Sequence, residues 1–107
     1  MSRDRLYIEH MLDAIEVIED FLKDVNRKDF MEDKLIQDGV IREIEIIGEA
    51  AKRLSDSLKG KYPDIPWKDV CGMRDRLIHD YFGVDLDDVW RTAQEDLGDL
   101  KNVLTKC

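Results

Sequence analysis

Turn-forming and cross-linking residues are scarce in this chain. Two prolines and six glycines in 107 residues leave too little turn material for the many short strands of a sandwich or barrel, so an all-β fold is excluded. The two cysteines, Cys71 and Cys107, stand far apart and form neither a metal-ligand nor a redox spacing. A small buried or surface thiol is expected at each, and with it a reducing, cytoplasmic location. Long apolar runs are missing as well. No stretch is long enough to span a bilayer, and Met1-Ser2-Arg3-Asp4-Arg5 leads into a charged amphipathic pattern with no apolar export segment. No His, Cys and carboxylate set has metal-ligand spacing, and the glycines build no phosphate loop of Walker or Rossmann type. Neither a metal nor a bound cofactor is expected.

What the chain does have is charge and helical periodicity. Hydrophobic residues make up 43% and charged residues 39%, a balance that fits a soluble helical protein rather than a disordered one. The length predicts one domain, residues 1–107, with a core small enough that a partner or a second copy would help it. The formal net charge of −8 argues against tight, sequence-blind nucleic-acid binding, which depends on phosphate neutralisation by Lys and Arg. It leaves room for a nuclease whose basic groups gather in one cleft, and it fits docking onto a basic protein partner.

Four helical segments follow from the apolar spacing. Tyr7, Met11, Ala14, Ile18, Phe21 and Val25, widened by Ile15 and Leu22, predict a first helix over about Asp4 to Asn26, with Glu19 and Lys23 as an outer ion pair. Asp29 is the expected N-cap of the next segment. Leu35 or Ile36, Val40, Ile44, Ile47, Ala51, Leu54 and Leu58 then predict one long helix from about Phe30 to Leu58. Gly39 is a candidate bend within it, and Gly48 a candidate close approach for another helix. Gly60 suits a C′ position and Pro66 the first turn of a third helix running toward His79. Trp67, Val70 or Cys71, Leu77 and Ile78 form its apolar side. Asp85-x-x-Asp88 restarts the chain as a weak variant of the capping box. Val89 or Trp90, Ala93, Leu97, Leu100 and Leu104 make the fourth helix, ending near Lys106. The steps of three and four favour near-antiparallel bundle packing, so the expected fold is an all-α bundle of four to five helices.

One run concentrates chemistry. Arg74-Asp75-Arg76-Leu77-Ile78-His79-Asp80-Tyr81 puts an arginine, which grips phosphate by a planar fork, close to one of only two histidines. On an ideal helix, however, His79 points roughly 140° away from Arg74, and His79 and Tyr81 face opposite sides. The three converge only if the helix ends near His79, where Gly83 follows, or if two copies of the chain share one cleft across a two-fold axis. Metal-free cleavage of RNA needs a base for the ribose 2′-OH and an acid for the leaving 5′-oxygen, with cations on the phosphorane. A dimer supplies two copies of His79, one for each task, while Arg74 holds phosphate. Arg76 is a second cation on another face. His10 is set aside, because it has no basic neighbour in its own turn. From the residues alone, a helix-end arginine more often serves as a dipole partner or surface ion pair, and Trp67 and Trp90 pack the bundle. Asp85, Asp87 and Asp88 read as a solvated cap rather than a cation site.

The pattern Arg74-x4-His79-x-Tyr81, followed by Phe82-Gly83-Val84-Asp85, resembles the HepT-type branch of the HEPN superfamily. Ile44-Glu45-Ile46-Ile47-Gly48-Glu49-Ala50-Ala51 and Tyr62-Pro63-x-Ile65-Pro66-Trp67 are similar to that family too, and the three blocks together span nearly the whole chain. The resemblance implies a homodimeric helical bundle with Arg74 and His79 as the catalytic pair of a metal-independent ribonuclease. It implies the toxin of a toxin–antitoxin module, whose partner is a small nucleotidyltransferase of the MNT type. That partner is expected to neutralise the toxin by transferring AMP from ATP onto Tyr81, adding anionic phosphate and bulk where substrate phosphate should sit. Where the family usually has Asn after the motif arginine, this chain has Asp75, which can orient the histidine but also competes for Arg74. Two other readings use the same features: a non-catalytic helical adaptor for a nucleotidyltransferase, and a subunit that binds a mononucleotide.

Overall fold

The structure is a computed structural model, and it describes residues 3–73, Asp75 and residues 85–107. Every regular element among them is helical. Arg74, Arg76, His79 and Tyr81 lie outside the described residues, as do Leu77, Ile78 and Gly83.

Helix α1 spans Asp4–Leu22 and buries Ile8, Met11, Ala14, Ile15 and Ile18, the stripe expected from the three-and-four spacing. It stops four residues short of Asn26. Lys23 leaves helical geometry at ψ 126°, and Asp24 adopts φ 59°, a left-handed conformation that a short polar side chain tolerates. The expected Glu19–Lys23 pair is therefore not built. Glu19 instead accepts a hydrogen bond from Lys101 Nζ at 2.8 Å, joining α1 to the last helix.

The long second helix is broken twice. Asn26, not Asp29, is the cap of the next helix, its side chain accepting from the Asp29 N–H at 2.8 Å. Helix α2 (Arg27–Glu32) ends at Asp33, which also caps α3 (Lys34–Lys52) by accepting from the Ile36 N–H at 3.2 Å. Gln37 Nε2 donates to the Phe30 and Met31 carbonyls at 2.9 and 3.1 Å, which satisfies oxygens the short helix leaves open. The second break is at Ser55, the cap of α4 (Asp56–Lys61). Its Oγ accepts from the Leu58 N–H at 3.1 Å and donates to Asp4 Oδ2 at 2.6 Å, while its N–H donates to Asp4 Oδ1 at 2.8 Å. Side chains that bond the nearby backbone compete with helix propagation, and apolar spacing cannot register them.

Helices α1 and α3 are the principal packed pair. They run antiparallel: Phe21, near the end of α1, lies on Gly39, near the start of α3, while Asp4 at the start of α1 meets Ser55 just past the end of α3. Gly39 is thus not a bend. A Cβ there would lie 2.8 Å from the Phe21 ring, and the glycine makes room for it. Gly48 does face a neighbouring helix end, where a Cβ would stand in ordinary contact, 3.4 Å from the Cys71 carbonyl. That carbonyl ends α5 (Trp67–Cys71). Gly60 sits inside α4 rather than after it, and the last α4 carbonyls are met by Trp67, whose Nε1 donates to Lys59 O and Tyr62 O at 3.1 and 3.0 Å. Pro66 occupies the position just before α5.

Asp85 caps α6 (Leu86–Arg91) by accepting from the Asp88 N–H at 3.0 Å, as the spacing predicts. A π-helical turn, Thr92–Asp96, joins it to α7 (Leu97–Lys106). Val89, Leu97, Leu100 and Leu104 are buried against Met11, Ile15, Ile18, Val40, Ile44 and Ile47. Fully burying one such side chain contributes about 1.5–3 kcal/mol. Phe30, wholly buried, meets the Trp90 ring at 5.3 Å between centroids. Trp67 and Trp90 both pack against this core.

Candidate functional site

Antiparallel packing of α1 and α3 leaves a groove of about 510 Å³ at the end where α1 begins and α3 finishes. Tyr7 and His10 form one wall; Arg42, Glu45, Ile46, Glu49 and Lys52 of α3, with Arg53, form the other. Asp75 also lines it, and Asp75 is bonded to Arg74 and Arg76 in the chain. The groove is thus one described surface that borders the motif; the groove described next, which Met73 lines, is another.

Its electrostatics alternate. Arg42 Nη1 stands 3.7 Å from Glu45 Oε2. One turn on, Glu49 is shared: Lys52 Nζ lies 3.2 Å from Oε1 and Arg53 Nη1 lies 3.6 Å from Oε2. The Lys52 ammonium, with Arg53 behind it, holds the Glu49 carboxyl below its usual range. Arg53 also donates to the Glu49 carbonyl at 3.2 Å, as cations do at a helix C-terminus. His10 is exposed, its ring edge-on to Tyr7 at 6.2 Å.

His10 has no basic neighbour within its own turn of α1. The cations come from α3 across the groove. A signal was present in the charged stripe Arg42, Glu45, Glu49 and Arg53, spaced at three and four residues, but it becomes a wall only once the antiparallel partner is known.

A second groove, about 320 Å³, lies among α5, the π turn and α7. Asp64, Asp69, Asp96 and Asp99 line it beside Ile65 and Val70, with Arg91. Arg91 is paired with Asp88, whose carboxylate raises the guanidinium pKa. The Asp85, Asp87 and Asp88 cluster serves structure: Asp85 caps α6, Asp87 pairs with Arg27, and Asp88 with Arg91. Cys71 and Cys107 are half-buried free thiols; Cys107 Sγ donates to the Val103 carbonyl at 3.4 Å, and the thiol beside the Tyr62 phenol raises the phenol's pKa. Among the described residues, no helix is long and apolar enough to cross a membrane.

Against known protein families, residues 11–107 match the model described as "Ribonuclease HepT-like". The chain belongs to the HepT-like ribonuclease family. It is 46% identical over 100 residues to a protein of Thermococcus cleftensis named "Probable ribonuclease HepT", covering 94% of this chain and 91% of the relative. It is 47% identical over 107 residues to a Methanocaldococcus jannaschii protein named "Gamma-glutamylcyclotransferase and putative RNase", covering 99% of this chain. There the HepT-like chain spans 48% of the relative's length, so the same unit also occurs joined to a second one. A "Putative RNase" of Caldanaerobacter subterraneus subsp. tengcongensis is 38% identical over 94% of this chain and 90% of its own. No solved structure gives a significant match. The α1/α3 groove is common ground between this HepT-like chain's described surface and its motif.

Proposed function

We propose that this chain is a metal-independent endoribonuclease, the toxin of a toxin–antitoxin pair, acting as a homodimer in the cytoplasm. The family match across residues 11–107 carries the reading, and the ribonuclease names of relatives support it. In this reading His79 of one protomer takes the proton of the ribose 2′-OH. The freed oxygen attacks the adjacent phosphorus, and the mate of His79 protonates the departing 5′-oxygen. Arg74 holds the non-bridging oxygens as charge builds on them. Arg76 is a nearby cation and Asp75 orients the pair. The products are a 2′,3′-cyclic phosphate and a free 5′-hydroxyl, so atoms and protons balance without a cofactor.

Control falls to Tyr81. A nucleotidyltransferase of the MNT type would break the α–β anhydride of ATP and place AMP on its phenol oxygen, releasing pyrophosphate and the phenol proton, filling the cleft and cancelling its positive potential. The test uses single-stranded RNA with a chelator present. Cleavage by the native chain that is lost in Arg74→Ala and His79→Ala, with the dimer intact by light scattering, supports the reading. Activity retained in either variant sinks the catalytic assignment. Intact mass after co-production with such a transferase should show AMP additions that Tyr81→Phe lacks.

A further inference from the structure

The α1/α3 groove holds charged groups that the chemistry proposed at Arg74 and His79 does not use. Lys52 and Arg53 share the single carboxylate of Glu49, and across the whole groove Arg42, Lys52 and Arg53 balance Glu45, Glu49 and Asp75, in a chain of net charge −8. These side chains stand in water, with Lys52, Arg53 and Glu49 50%, 56% and 54% exposed. Ion pairs that exposed hold their partners weakly. An arginine freed from such a pair can take a phosphate through two parallel N–H donors. Arg42, itself exposed, sits at 3.7 Å from the half-buried Glu45. Across the groove, Tyr7 and His10 offer rings of the sort on which unstacked bases rest. The groove reaches Asp75, and chain connectivity ties Asp75 to the motif on both sides. A strand whose scissile phosphate sits at Arg74 has two described grooves beside it, this one through Asp75 and the other through Met73, and the second opposes it with four aspartates.

We infer that the α1/α3 groove is a subsite for the single-stranded RNA flanking the scissile bond, with Arg42 and Arg53 on its phosphates and Tyr7 and His10 against a base. The inference rests on the ribonuclease reading, but its test does not need cleavage. The probe is a short, fully 2′-O-methylated oligoribonucleotide, which has no 2′-OH to attack phosphorus. Its binding to the native chain is followed by fluorescence anisotropy over a range of salt.

The double variant Arg42→Gln/Arg53→Gln should bind at least tenfold more weakly. The slope of log affinity against log salt should flatten by about 1.4, at roughly 0.7 per lost phosphate contact on a single strand. Glu49→Gln removes the charge that both cations share, leaving Arg53 its bond to the backbone carbonyl there, and should tighten binding, a gain that a damaged fold cannot mimic. Native-like affinity and slope in the double variant overturn the inference. So does weakening there without tightening in Glu49→Gln, and so does failure of the native chain to bind the probe, which would leave the groove to a protein partner. Groove-dependent binding with no cleavage of unmodified RNA keeps the subsite and removes the ribonuclease reading. Cleavage indifferent to the groove does the reverse.

Discussion

The two grooves of this molecule divide its charge unequally. The groove of α5, the π turn and α7 brings four aspartates against one arginine that Asp88 already occupies. The α1/α3 groove alternates sign, and at Glu49 the cations outnumber the carboxylate. A net charge of −8 thus says little about where an anion can approach. Local pairing decides that, because exposed charges more than about 8–10 Å apart are screened at physiological salt. Both border the motif by chain connectivity, the acidic groove at Met73 and the mixed one at Asp75, and the acidic one would repel RNA.

The sharpest way to break the contrast is catalytic. His79→Ala should lower RNA cleavage by about 100- to 10,000-fold, the usual worth of a positioned proton-transfer group. Asp69→Asn and Asp99→Asn together, in the acidic groove, should leave the rate within about twofold, since that groove has no part in the proposed chemistry. A comparable loss from the aspartate pair, read in the same cleavage assay, would show that the acidic groove handles substrate and that the division by charge is wrong.

Next in size is the support of the mixed groove. Ser55 caps α4 and ties its own N–H and Oγ to Asp4, at the mouth where α1 meets the end of α3. Ser55→Ala removes the cap, expected to cost about 0.5–2 kcal/mol, and leaves a carboxylate short of one charge-assisted donor, about 1–3 kcal/mol more. Thermal unfolding should show a fall in Tm clearly larger than for Asp69→Asn. An unchanged Tm would mean that the Ser55–Asp4 contact does not hold the two helices.

These two regions also differ in how far they could be read from sequence. The apolar stripes of α1 and α3 were legible because Met11, Ala14 and Ile18, like Val40, Ile44, Ile47 and Ala51, keep helical spacing and are buried. The Asp85-x-x-Asp88 cap was legible because its chemistry is local. The breaks at Asp33 and Ser55 were not. The three-and-four spacing runs straight across both, while the bonds that stop the helix depend on Gln37, Phe30 and the distant Asp4. The π turn at Thr92–Asp96 is equally silent, because Ala93 and Leu97 keep the expected step through it. Of the motif, Arg74, His79 and Tyr81 were singled out from residue type and resemblance, and Asp75 is the member the structure describes. His10, set aside for want of a basic neighbour in its own turn, shares a groove with cations of α3, and no reading of one helix at a time brings them together.

Asp75 tests how the mixed groove meets the motif. It puts a carboxylate on the groove surface beside the arginine that is to hold phosphate. Asp75→Asn keeps the shape and a hydrogen-bonding oxygen while removing the charge. Cleavage should rise by a few-fold and by at most about tenfold, equivalent to about 1.4 kcal/mol of transition-state stabilisation. Equal rates for the two proteins would mean that the carboxylate neither competes for Arg74 nor repels substrate.

The smallest effect concerns acid. Lys52 and Arg53 depress the Glu49 pKa from its ordinary 4.5, so the folded chain binds this proton less readily than the unfolded chain does. The resulting stabilisation is complete above the unfolded value and is lost as pH falls through the lowered folded one. Because the group is exposed, water and salt screen it. Glu49→Gln should therefore leave Tm near native below that window and lower it slightly above, with the difference shrinking as salt is added. The same substitution is expected to strengthen RNA binding in the groove. A variant that loses a little stability while gaining affinity would separate the two uses of these cations: fastening the end of α3 in the free protein, and holding phosphate when a strand arrives. If Glu49→Gln instead lowers Tm equally at every pH, the carboxylate acts through packing, and the exchange of Glu49 for phosphate loses its physical basis.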